Sequence, residues 1–72
     1  MPRKVRQLRA DLRRVGWGVA RQAGSHQIWT HPLLPGVEVN LAGQDGTGAH
    51  HYQERDVREA VQLAREAQRR HP

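Results

Sequence analysis

The chain has 72 residues, a formal net charge of +5 and no cysteine. A chain this short buries only about 60% of its unfolded surface, which leaves room for one domain with a small core and no separate cofactor fold. The missing thiols exclude disulfide scaffolds, thiolate zinc sites and cysteine nucleophiles, and no apolar run reaches the roughly 20 residues of a membrane span.

The charge is uneven. Residues 1–21 hold seven basic groups and one acid, whereas residues 22–52 hold only Glu38 and Asp45 as acids and, beyond histidine, no base. A concentrated arginine surface favours a polyanion such as nucleic acid. The plainer reading of such a run is a solvated helix face. The start, Met1-Pro2-Arg3-Lys4-Val5, lacks the apolar stretch of a signal peptide, so a cytoplasmic protein is expected.

Residues 4–15 are predicted to be helical. Val5, Leu8, Leu12 and Val15 fall within about 80° of arc at 100° per residue. Arg6, Arg9 and Arg13 are expected together on the far, solvent side, flanked by Arg3 and Arg14. Gly16 stops the helix, as a left-handed glycine commonly does. A strand is predicted over 17–22, where Trp17, Val19 and Arg21 alternate with small or polar residues. Ala23-Gly24-Ser25 supplies turn chemistry, and a second strand follows over 26–31. After a Pro32–Gly36 turn, Val37, Val39 and Leu41 alternate with Glu38 and Asn40, which predicts a third strand over 37–41. Residues 42–50, with Gly43, Gly46 and Gly48, read as a loop.

A second helix is predicted over 53–70. Its stripe is Val57, Ala60, Val61 and Ala64, flanked by Leu63 and Ala67, and its alanines let it lie close to a sheet. Glu54 and Asp56 near its start and Arg69 and Arg70 near its end suit the helix dipole. The expected fold is therefore α+β in the order α-β-β-β-α. A three-stranded antiparallel meander would carry both helices on one face, the arrangement of a double-stranded-RNA-binding domain.

The residues also resemble a family. The first helix ends in Val15-Gly16-Trp17. Arg21-Gln22-Ala23-Gly24-Ser25-His26 follows, then Trp29-Thr30-His31-Pro32, a valine-rich strand and a closing helix. In this order the chain resembles the HicA-type toxins, small RNA-cleaving proteins of bacterial type II toxin–antitoxin systems. The segment after the third strand, Asn40-Leu41-Ala42-Gly43-Gln44-Asp45, differs from the proline-, histidine- and lysine-containing segment of many members, which marks a side branch. The resemblance implies an mRNA interferase, an endoribonuclease restrained by a HicB-type antitoxin protein, and it places the catalytic histidine at His26.

The chemistry fits that role. RNA carries its own nucleophile, the 2′-hydroxyl, and a neutral imidazole that takes its proton contributes about 10²–10⁴-fold to the rate. Gly24 and Ser25 carry little bulk, so a phosphate can approach their backbone amides. Arg6, Arg9, Arg13 and Arg21, with Lys4 as a further candidate, are the expected RNA contacts. Taken alone, His26 reads as a polar residue at a strand end. His31 is five residues on and cannot share a sheet face with His26 in a regular strand, so a structural role is expected for it. His50 and His51 read as a pair preceding the helix; one of them as general acid is the sharper alternative. They lack a third strong ligand, so no metal is expected, nor any other cofactor. His71 is expected in a frayed tail. Trp29 has two readings, core residue or exposed stacking residue, according to which strand face is buried; Tyr52 is open in the same way. The alternative to an enzyme is an RNA-binding module of the same fold that leaves RNA intact.

Overall fold

The computed structural model describes residues 3–70. The elements are α1 (Val5–Arg14), β1 (Gly18–Ala23), β2 (His26–Thr30), β3 (Val39–Leu41) and α2 (His51–Arg70). The strands form one antiparallel sheet in the order β1-β2-β3. The predicted α+β order is the observed one. The third strand is shorter than expected because residues 32–37 spend their backbone groups on turns: Leu34 N–H donates to His31 O and Val37 N–H to Leu34 O. His71 lies outside the described residues.

The core sits between the helices and one face of the sheet. Val5, Leu8 and Leu12 of α1 meet Trp29, Leu41, Val57, Ala60 and Ala64, all at 3% exposure or less. The alanines act as expected: with only a methyl at position 60, the Trp17 indole reaches the helix backbone and its Nε1–H donates to Ala60 O at 3.2 Å.

Alternation along β2 decides the face. Gln27, Trp29 and His31 point inward and are buried, whereas Ile28 and Thr30 are only partly covered and His26 is exposed. Trp29 is therefore core, at 0% exposure. Its indole N–H finds no hydrogen-bond partner among the described residues, and the Arg13 guanidinium carbon stands 5.3 Å from its ring centroid, within cation–π range.

Helices expose orphan carbonyls at their C-terminal ends. At the end of α1 the Val15 carbonyl accepts two side chains from different elements, His31 Nε2–H at 2.8 Å and Gln68 Nε2–H at 2.9 Å. The other nitrogen of His31, Nδ1, accepts the Leu33 amide at 3.1 Å. This pair of bonds defines a neutral imidazole protonated on Nε2. His31 is structural, as expected from its position. Gly16 makes this possible: its φ is +98°, and a Cβ there would stand 2.8 Å from His31 Nε2.

Both helices start with the same device. The third helical residue is a glutamine whose Oε1 accepts the amide of the residue before the helix, Gln7 from Lys4 N–H at 2.7 Å and Gln53 from His50 N–H at 2.9 Å. This is half of a capping box. It explains why α2 begins at His51 rather than Gln53. The strand β1 is less regular. The pairing slips between Val19 and Arg21, which leaves Ala20 as a bulge, and all six residues of the strand are exposed.

Candidate nucleic-acid interface

The turn Gly24-Ser25 delivers His26 to the first position of β2. Gly24 has a φ of +60°, the left-handed conformation that a tight hairpin needs and glycine adopts freely. The His26 ring stands on the outer sheet face with Ile28, away from the helices. Register puts Arg21 on the same face, since Arg21 pairs with Ile28 and Ala23 with His26. Arg21 Nη2 pairs across β2 with Glu38 Oε2 at 3.1 Å, and both side chains are largely exposed, so the pair is weak and exchangeable.

The inner side of the same turn opens on a groove of about 450 Å³. Arg6, Arg9 and Arg13 of α1 form one wall; Gln22, Ser25 and Gln27 form the other; Gly43, Gln44 and Asp45 close the end. The structure thus brings Ser25 together with the three helix arginines and sets His26 and Arg21 on the opposite face of the sheet. An RNA strand that meets both sets has to cross the turn.

Arg9 requires a correction. The helical pattern set it on the solvent side, but it is 7% exposed. Its Nε donates to Gln27 Oε1 at 2.7 Å, its Nη2 to Gly43 O at 2.6 Å and to Ser25 O at 3.5 Å, and its Nη1 pairs with Asp45 Oδ1. A guanidinium with its donors engaged in this way is not free to grip a phosphate. Arg9 is instead the pin that fixes the turn before His26 to α1 and to the glycine loop. Gln27 Nε2–H passes the network on to Gln22 Oε1 at 3.3 Å, and Gln22 Nε2–H closes it on Gly24 O at 2.9 Å. Sequence reasoning missed Gln22 and Gln27. Their signal was available: two glutamines straddle the Gly-Ser turn at positions that a two-residue hairpin sets opposite each other.

The glycine loop is equally fixed. The first amides of α1 donate into it, Val5 N–H to Thr47 O at 2.9 Å and Arg6 N–H to Asp45 O at 3.2 Å, so the orphan donors of this helix start are satisfied. Gln53 Nε2–H ties α2 to Ala42 O at 2.8 Å. The starts of both helices, the loop and the Gly24–His26 turn therefore gather at one end of the sheet. His50 and His51 are exposed there. Among the described residues no group of three histidine, aspartate or glutamate side chains converges as a metal site.

A second basic surface lies between the helices, in a groove of about 510 Å³. Arg3, Arg14, Arg58, Arg65 and Arg69 line it with Asp11 and Glu54. Asp11 hydrogen-bonds Arg3 and raises the Arg3 pKa. No helix is long and apolar enough to cross a membrane among the described residues.

The chain matches no family model, no curated protein and no solved structure.

Proposed function

We propose that this protein is a metal-independent endoribonuclease, the toxin component of a HicA-type pair acting on mRNA in the cytoplasm. The observation that supports the reading is the open placement of His26 on a turn that the hydrogen bonds of Arg9, Gln27 and Gln22 pin, with an arginine-lined groove on the inner side of that turn. His26 takes the proton of a 2′-hydroxyl as that oxygen bonds to phosphorus. The bond from phosphorus to the 5′-oxygen breaks, and the departing oxygen takes a proton from water. Arg21, on the same face, is placed to offset charge on the phosphorus oxygens if it exchanges Glu38 for phosphate. Arg6 and Arg13 hold the strand through its phosphates on the inner side, with the backbone amides of Gly24 and Ser25 between. A HicB-type antitoxin would restrain the enzyme by covering this turn.

The test is RNA cleavage in the presence of a chelator. Wild type cleaves and His26→Ala does not, with unchanged RNA affinity; full activity of His26→Ala would refute the assignment. A second reading, RNA binding without cleavage, is favoured by the position of the arginine groove across the sheet from His26. It predicts salt-sensitive binding with intact RNA for both proteins.

A further inference from the structure

We propose that His50 and Tyr52 form a stacking platform for an unpaired base of the bound RNA. The inference rests on the RNA reading above and narrows it to single-stranded substrate. The protein has two tryptophans, one tyrosine and no phenylalanine. Both tryptophans are spent on the core, at 3% and 0% exposure, whereas Tyr52 stands 56% exposed in the first turn of α2. Its ring is not loose. It lies parallel to the His50 imidazole, with centroids 5.5 Å apart and an interplanar angle of 6°, an offset stack. The imidazole lies alongside the phenol ring, displaced from its centre, and a base extends this parallel arrangement. A pre-set ring loses little rotamer freedom when a ligand lands on it.

The surroundings select the ligand. In sequence Gly46, Thr47 and Gly48 precede the pair, and His51, Glu54, Arg55 and Asp56 follow or flank it, with Arg55 paired to Asp56 at 3.6 Å. These are small or polar groups. A protein partner that buries an aromatic anchor needs a tight shell of neighbours to exclude water around it, whereas Tyr52 stands 56% exposed. A nucleobase needs only a π-face and a cation within reach of its phosphate. Lys4 is tied to the preceding loop through its backbone, which forms a β-bridge with Gly48. Bases inside a duplex stack on one another and present no free face, so the platform discriminates for unpaired nucleotides.

The platform also stands at the right end of the molecule. Gln53, next to Tyr52, is bonded to Ala42. Ala42 follows Leu41, and Leu41 pairs with Gln27, the neighbour of His26. A strand crossing the Gly24–His26 turn can continue across the loop to the start of α2.

The experiment uses the full chain carrying His26→Ala, so that bound RNA stays intact. A short single-stranded RNA and a duplex of the same sequence are titrated at low salt. Adding Tyr52→Ala is expected to weaken single-strand binding about 5- to 150-fold, the range for loss of one stacked base, and to leave duplex binding unchanged. Tyr52→Trp keeps the single-strand affinity. Arg6→Glu, in the arginine groove, weakens both RNAs. Unchanged single-strand affinity in Tyr52→Ala, with Arg6→Glu still impaired, overturns the platform and leaves the RNA reading standing. Equal loss for single strand and duplex in Tyr52→Ala also overturns it. A parent protein that binds neither RNA overturns the RNA reading and the platform together.

Discussion

Replacing Gly16 with alanine tests the junction that holds α1, the sheet and α2 together. Two costs arise, and both are visible in the structure. The φ of +98° disfavours any residue with a Cβ, at about 1–2 kcal/mol. The new methyl would also stand 2.8 Å from His31 Nε2. His31 must then withdraw from Val15 O, and an imidazole N–H is left buried without a partner, at about 1–3 kcal/mol. Together these predict a loss of about 3 kcal/mol, or a Tm lower by roughly 12–24 °C in a domain of this size. The control is Gly24→Ala. Gly24 also has positive φ, +60°, but nothing crowds a Cβ there, so only the backbone cost of about 1–2 kcal/mol applies. Urea unfolding followed by tryptophan fluorescence reads both variants. The excess in Gly16→Ala should shrink when His31 is also replaced by alanine, because the clashing ring is gone. Equal losses for Gly16→Ala and Gly24→Ala would refute the claim that the His31 contact constrains position 16.

Two further variants probe the network around the turn. Arg9→Leu strands the buried Gln27 side chain and the Gly43 carbonyl, and should cost about 2–3 kcal/mol in urea unfolding, with faster amide exchange at Ser25 and Gly43; a stability equal to wild type would show that the network holds nothing. Gln53→Ala removes both the cap on His50 N–H and the tie to Ala42 O, and should cost about 1–2 kcal/mol, with exchange protection lost first at the start of α2; protection lost evenly along the helix would count against the capping role.

Much of this architecture was legible because the apolar residues repeat at clean periods. Val5, Leu8, Leu12 and Val15 gave α1, and the alternation of Val39 and Leu41 around Asn40 gave β3. Other features were hidden for physical reasons. Arg9 is only about 40° of arc from Val5, on the border of the apolar stripe, and its long stem lets the guanidinium reach Gln27 and the turn end of the sheet. Hydropathy marks it as surface because hydropathy does not see its four hydrogen bonds. Trp29 was undecided for a related cause. Its face-mates are Gln27 and His31, both polar by type and both buried by virtue of their hydrogen bonds. His26 was singled out by its place in the Gly24-Ser25-His26 run and by the family resemblance. Its separation from the arginine groove was not foreseen, because that depends on strand parity and on which face the helices cover.

The two sheet edges have a consequence for behaviour at high concentration. An open edge is a template on which further strands assemble, and β1 has no cover on either side. Ala20 breaks that template. An incoming straight strand meets matched donors and acceptors only up to the pucker, then falls out of step, and Arg21 adds a charge beside the break. The opposite edge, β3, offers just three residues. With one margin kinked and the other stubby, the protein gives polymerising copies no continuous ladder to extend, and neither flank needs a helix to guard it.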